Sequence, residues 1–200
     1  AGSHDNNIYL YNAEEEEYNL RGSCEGHKSY ITHFDFSANG ENLKSNCGAY
    51  ELLFWDASSG EQVTNASSLR NQEWSSWTCT LGWPVQGIWP AFADGTDVNA
   101  VSRSASGTMI ATADDFGKVK LFRYPCIGVN MEAETGKSEG GSTALEYRGH
   151  SSHVTNIRVS TGDSHIISVG GNDRSVFQWK VDLDDEVEDA EDEELEEDED

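Results

Sequence analysis

The sequence predicts an all-β fold assembled from small antiparallel sheets, of the β-propeller kind. Three observations carry this. Short half-apolar runs end repeatedly in Gly, Asn or Asp; a Gly-His pair occurs twice; and units close on a strand that ends in an aromatic residue. The 200 residues include 19 Gly and 20 aromatics but few long helical periodicities, a composition suited to turns and strands.

Runs with rough apolar alternation lie at residues 7–11, 31–36, 52–55, 118–122, 154–159 and 176–180. Gly26-His27 and Gly149-His150 each open a unit that proceeds through a half-apolar strand, a turn and a second strand. These units end at Phe54-Trp55-Asp56 and Phe177-Gln178-Trp179. Asp173 stands six residues before Trp179. Ala49 holds the same place before Trp55, so that unit lacks the turn acid, and Asp115 stands seven before Phe122, which predicts one extra residue in that turn. This is the Gly-His to Trp-Asp arrangement of WD40 repeats. A turn Asp can accept a hydrogen bond from the His, and the His can tie down the Trp strand. A small sheet with little core thereby gains a buried polar brace. The structural residues expected are His150, Asp173 and Trp179 in the last blade, and His27 and Trp55 in the first whole one.

The closing aromatics Tyr11, Trp55, Phe122 and Trp179 are spaced by 44, 67 and 57 residues. The first interval is that of one blade, and the other two predict insertions, one within residues 57–99 and one near residues 128–143. The latter carries Gly128, Gly136, Gly140 and Gly141 and reads as a mobile loop. The expected organisation is the end of a preceding blade (1–12), a WD-type blade (13–56), an atypical Trp-rich blade with an insertion (57–124), a blade with a Gly-rich loop (125–181) and a disordered acidic tail (182–200). About three four-stranded blades are too few to close a propeller, so the chain is expected to be a fragment that packs against missing blades of the same protein. Pro84 and Pro90 bracket a strand-like segment, 85–89, and Trp74, Trp77, Trp83 and Trp89 are expected to fill the atypical blade and its seam.

Charge excludes several functions. The chain has 37 acidic and 13 basic residues, a net charge of −24, and 15 of its last 19 residues are Asp or Glu. Nucleic acid is excluded as a partner, since phosphate binding requires Lys and Arg, and so is an anionic membrane surface. No apolar run reaches the roughly 18 residues of a transmembrane helix, and residues 1–12 do not read as a secretory signal. The acidic tail cannot bury enough apolar surface to order itself; it reads as a solubilising end or as a tail for a basic partner. Cys24, Cys47, Cys79 and Cys126 show no disulfide or metal spacing and are expected to be free thiols.

Catalytic motifs fail on context. Asp115-Phe116-Gly117 spells a kinase magnesium motif without the other kinase elements. Gly136-Lys137-Ser138 lacks the earlier Gly of a phosphate loop, since Met131 occupies that place. His150 and His153 fall where a turn enters a strand and point to opposite faces. The expectation is no enzyme, no cofactor and no metal.

Several strings resemble one family closely. They include Gly2-Ser3-His4-Asp5-Asn6-Asn7-Ile8-Tyr9-Leu10-Tyr11, Gly26-His27-Lys28-Ser29-Tyr30-Ile31-Thr32-His33 and Trp77-Thr78-Cys79-Thr80-Leu81-Gly82-Trp83. Further matches are Val85-Gln86-Gly87-Ile88-Trp89-Pro90, Asp94-Gly95-Thr96-Asp97-Val98-Asn99-Ala100-Val101, Asp114-Asp115-Phe116-Gly117-Lys118-Val119 and Gly149-His150-Ser151-Ser152-His153-Val154-Thr155-Asn156. In this order they resemble the end of the second propeller of the echinoderm microtubule-associated protein-like family, over residues 1–181. The resemblance implies a non-catalytic scaffold within a longer protein that associates with tubulin and microtubules in the cytoplasm. Family members carry an N-terminal coiled coil in some cases, a hydrophobic "HELP" segment and a first propeller, none of which this sequence contains. The long acidic tail is not a general family feature, and it should be repelled by the acidic tubulin lattice. Blade-top loop residues Asp94, Gly95, Thr96 and Asp97 are the expected contact surface. An alternative is an adaptor whose acidic tail binds a basic protein.

Overall fold

A computed structural model of the chain describes residues 1–13, 17–89, 93–128 and 142–182. The expected tail beyond Asp182 and most of the Gly-rich loop, including Gly136, Gly140 and Gly141, lie outside the described residues. Among the described residues, twelve strands form four sheets, and every pairing is antiparallel. The first pairs β1 (Ile8–Tyr11) with β2 (Leu20–Cys24). The second is β3 (Ile31–Phe36), β4 (Asn42–Cys47) and β5 (Leu52–Asp56). The third runs β6 (Val98–Arg103), β7 (Met109–Asp114), β8 (Lys118–Arg123) and β9 (Leu145–Arg148). The fourth is β10 (Val154–Val159), β11 (His165–Gly170) and β12 (Val176–Lys180).

Sheets and sequence units are offset by one strand. β2 follows the start of the unit 13–56 yet pairs with β1, and β9 follows the insertion after β8 yet pairs back onto β8. The segment after β5 does the same in miniature. Asp56 N donates to Glu61 O at 2.9 Å and Val63 N donates to Phe54 O at 2.8 Å, a short fourth edge that makes one bridge, Trp55 to Gln62. The first three sheets thus receive their outer strand or edge from the next stretch of chain.

One turn chemistry recurs at the far end of three sheets. Ser37, Ser104 and Ser160 each stand just beyond β3, β6 and β10, and their Oγ atoms accept the amides of Asn42, Met109 and His165 at 2.9, 3.1 and 3.0 Å. The serine satisfies a backbone donor that the tight turn would otherwise leave unpaired. Gly40 and Gly107 supply the positive φ, 74° and 69°, that reverses the chain there.

Apolar clusters fill the seams between sheets. Ile8, Leu10, Cys24, Leu43 and Trp55 join the first sheet to the second, and Ala100, Ala111, Ala113, Val119, Val154, Ile157 and Ile166 join the third to the fourth. Small Ala residues let those last two sheets approach closely, and Val159 N donates to Ser102 Oγ across the seam at 3.0 Å. The seam between the second and third sheets is built differently. Residues 74–80 of the insertion are wedged into it, with Trp74 and Trp77 buried beside Phe54, Leu69, Val85, Val101 and Phe122. Arg103 Nη2 donates to Trp74 O at 2.8 Å from the third sheet, and Ser75 N donates to Phe36 O at 2.9 Å from the second. The insertion is therefore a spacer between sheets.

Two details differ from the sequence expectation. Residues 85–89 do not form a strand: Trp83–Ile88 is a 3₁₀ segment, kinked at Val85, with Pro84 in its first turn. Proline at a helix start sacrifices an amide that would be unpaired anyway, which is why the segment begins there. The extra turn residue is not near Asp115 either. Ala113 pairs with Val119, leaving five residues between them, whereas Val169 pairs with Val176, leaving six, so the longer turn belongs to the last sheet.

His33 on β3 predicts an acid sensitivity. Burial, with the Arg158 charge nearby, pushes its imidazole down to about 4 against a partial pull upward from Asp35, and its Nδ1 has no hydrogen-bond partner. The folded state keeps it neutral while the unfolded chain takes up a proton near pH 6.5, so stability falls as pH drops through the window from 6.5 to 4. Between pH 7 and pH 5 this amounts to about 2 kcal/mol. Urea unfolding at the two pH values should show that loss in the wild type and a smaller one in His33→Gln; equal losses would refute the assignment.

Candidate functional site

The braces come first, because they fix the turns that carry the surface loops. In the last sheet the chain of donors is complete. Trp179 Nε1 donates to Ser168 Oγ at 2.9 Å, Ser168 Oγ meets His150 Nε2 at 2.8 Å, and His150 Nδ1 faces Asp173 Oδ2 at 3.0 Å. Trp is donor-only and a carboxylate acceptor-only, so the protons run one way: Trp to Ser, Ser to His, His to Asp. Burial pushes the Asp173 carboxyl up, but hydrogen bonds from Ser175, His150 and Ser151 hold it down at about 2. Gly170 is required here by space, because a β-carbon on it would run into the Asp173 carboxylate and His150 Nδ1.

The second sheet repeats the first half of this arrangement. Trp55 Nε1 donates to Ser45 Oγ at 2.8 Å, and Ser45 Oγ meets His27 Nε2 at 2.7 Å. The acid is missing, as the Ala49 position foretold. Glu51 approaches from two residues further along, but its Oε2 stays 3.5 Å from His27 Nδ1. The two serines escaped the sequence reading. A signal existed, since each stands 18 residues after its His.

The loops that these braces support share one end of the sheets. The pairs Ile31 with Cys47, Val98 with Asp114 and Val154 with Gly170 all lie at that end. Asp94, Gly95, Thr96 and Asp97 are there, ahead of β6. Asp94 Oδ1 accepts the Thr96 amide at 2.8 Å and also its hydroxyl, and these bonds hold the carboxyl below its ordinary value. Gly95 rests against the ring of Tyr50 from the neighbouring sheet, with no room for a β-carbon. Asp115 N donates to Asp97 O at 3.1 Å, while Asn99 Nδ2 bonds both Asp115 Oδ1 and Val154 O, at 2.8 and 2.9 Å. The loop is thus tied to the sheets on both sides. Tyr30, Tyr50 and Phe116 are exposed around it, Phe116 at 69% as the middle residue of Asp115-Phe116-Gly117 in the β7–β8 turn.

A third feature sits in the widened seam. Asp35 and Lys44 are directly paired across β3 and β4, and both side chains are fully buried. Asp35 accepts from Ser76 Oγ at 2.6 Å, Thr78 N at 2.9 Å and Cys79 N at 3.1 Å, which pins the wedge to β3. Lys44 Nζ lies 3.5 Å from Asp35 Oδ2, over the faces of Trp74 and Trp77. Burial pushes this ammonium down to about 7, against the upward pull of Cys79 and Asp35. Beside it opens a cleft of about 680 Å³, walled by Phe54, Trp74 and Trp83. Trp83 stacks on Phe54 at 5.7 Å, so the Trp cluster fills this seam as the sequence led one to expect.

Small antiparallel sheets that hand strands to their neighbours, together with a His-Ser-Trp brace, define a WD-type β-propeller. The family model of the echinoderm microtubule-associated protein second β-propeller matches residues 1–181, and the chain belongs to that family. Echinoderm microtubule-associated protein-like 1 of Rattus norvegicus is 47% identical over 182 residues, which is 90% of this chain and 21% of the relative. The 77 kDa echinoderm microtubule-associated protein of Strongylocentrotus purpuratus is 46% identical over 183 residues, 90% of this chain and 25% of the relative. The chain thus spans a fifth to a quarter of the length of these relatives. A chain in the crystal structure of the mitotic checkpoint complex shares the fold at TM-score 0.59, with 16% identity, over 90% of this chain and 57% of that one. Among the described residues no helix is long and apolar enough to cross a membrane.

Proposed function

We propose that this chain is a non-catalytic scaffold segment of a microtubule-associated protein, linked to tubulin binding and cytoskeleton organisation in the cytoplasm. The observation that carries this reading is the family match over residues 1–181, joined by relatives whose names describe microtubule association. In this reading the braces hold rigid sheets, and specificity resides in the loops they present. Asp94, Gly95, Thr96 and Asp97, with Tyr50 beneath them, form the contact surface for a protein partner. His27, Trp55, His150, Asp173 and Trp179 serve stability, and further blades of the same protein pack on the outer sheets.

Co-sedimentation with stabilised microtubules at low and physiological salt tests this reading. The chain is run beside a full-length relative and a version lacking residues 182–200. Pelleting of the relative alone assigns this region a scaffold role and places the lattice contact elsewhere. Pelleting of the chain, strengthened by tail removal, assigns direct contact to the blades with the acidic tail as a brake. Pelleting of neither would overturn the microtubule reading. Salt-sensitive capture of a basic protein only when the tail is present would favour the adaptor alternative.

A further inference from the structure

The interrupted brace of the second sheet leaves a polar atom without a partner. His27 has a side chain of 0% exposure, and its Nδ1 makes no hydrogen bond. Its Nε2 is committed to Ser45 Oγ. In the last sheet the corresponding nitrogen is satisfied by Asp173 and Ser175. Burying an imidazole nitrogen unpaired costs free energy, so its surroundings ask for an explanation.

Those surroundings have the chemistry of a metal site. Strand register places Cys47 in the second sheet where Gly170 stands in the fourth, opposite the first residue of the preceding strand. A β-carbon at Gly170 would point at His150 Nδ1. Cys47 therefore directs its thiol into the space that the acid occupies in the other brace. Cys47 Sγ is 3.4 Å from Glu51 Oε2, that oxygen is 3.5 Å from His27 Nδ1, and no two of the three ligand atoms are more than 4.8 Å apart. Zinc bonds of about 2.0–2.3 Å imply ligand separations of about 3.3–3.7 Å in a tetrahedron. Two of the three separations already fall in that range.

We propose that His27 Nδ1, Cys47 Sγ and Glu51 Oε2 form a binding site for a thiophilic divalent cation, zinc by ligand type, that replaces the missing acid of this brace. The thiolate and imidazole select zinc over magnesium or calcium. On binding, the Cys47 thiol gives its proton to solvent and the thiolate, the carboxylate and the neutral imidazole each donate a lone pair. The two ligand charges offset those of the ion. With the proton on Nε2 donated to Ser45 Oγ, a hydroxyl oxygen that can accept from both His27 and Trp55, the lone pair of His27 Nδ1 is available to the ion. Glu51 is 21% exposed, which leaves the fourth position open toward the loop surface for water or a partner's side chain. Lys28 Nζ, 3.1 Å from Glu51 Oε1 and 81% exposed, is free to swing away. The sequence alone gave no hint of this site, because the three ligands do not follow any zinc-motif spacing.

The test titrates the metal-free 200-residue chain with Co²⁺ and then displaces it with Zn²⁺. The expected result is one equivalent bound with a thiolate-to-cobalt charge-transfer band, retained in Cys126→Ser and absent in Cys47→Ser. Cys47→Ser is expected to weaken Zn²⁺ by roughly 100-fold or more, and Glu51→Gln by roughly tenfold, losses at least comparable to those from disturbing a metal's outer shell. Near-ultraviolet circular dichroism checks that each variant folds. Zinc-edge X-ray absorption of the loaded wild type needs no variant and must show one sulfur neighbour. Absence of the charge-transfer band, its survival in Cys47→Ser, or a sulfur-free zinc shell would overturn the site. The acidic tail binds cations through oxygen alone and produces none of the sulfur signatures.

Discussion

Asp35→Ala is expected to destabilise the chain by about 3–5 kcal/mol, the range for removing one partner of a buried ion pair. Three consequences combine. Lys44 is left as a fully buried ammonium without its counter-charge. The amides of Thr78 and Cys79 and the hydroxyl of Ser76 lose their acceptor. The wedge formed by residues 74–80 is released from β3, so the seam between the second and third sheets opens. Lys44→Met in the Asp35→Ala background should recover part of the loss, because it removes the stranded charge while keeping the stem that packs on Trp74 and Trp77. Urea unfolding of the four proteins in the cycle measures this. An Asp35→Ala loss below about 1 kcal/mol, or no recovery in the double variant, would show that the pair does not hold the wedge.

Trp55→Ala is expected to cost a similar amount, about 3–5 kcal/mol, because it empties a site of 0% exposure at the centre of the seam between the first two sheets. Trp55→Phe separates the contributions. It keeps a ring in the site but deletes the donor to Ser45 and part of the indole's volume, so the loss should shrink to about 1–3 kcal/mol. Trp179 makes the same bond to Ser168 but is only partly buried, so Trp179→Ala should be the milder change of the two. Equal costs for Trp55→Ala and Trp179→Ala would mean that the shared hydrogen bond, and not burial, sets the stability.

The strands that alternate were legible in the residues. The runs at 31–36, 154–159 and 176–180 coincide with β3, β10 and β12. β4 was not legible. Its sequence, Asn-Leu-Lys-Ser-Asn-Cys, reads as polar, yet its last five residues are buried, because a central strand covered on both faces need not alternate. Nothing in the local sequence singles out Lys44 as buried; the register that sets it opposite Asp35 does. The His and Trp ends of the braces carry a pattern, while Ser45 and Ser168 are single small residues within strands. The orphaned nitrogen of His27 could not be foreseen, since it depends on Glu51 falling half an ångström short of a hydrogen bond, and local spacing does not encode that distance.

Because β9 lies beyond residues 129–141 but completes the sheet of β6, β7 and β8, covalent continuity and sheet membership cross at that point. Cutting the backbone anywhere in 129–141 would give two polypeptides that still share a four-stranded sheet, with Lys118 bonded to Glu146 at 2.6 Å across the break. The apolar seam between β6–β8 and β10–β12 would hold them as well. The pieces should stay together as a split protein, and new sequence could be inserted there without parting them.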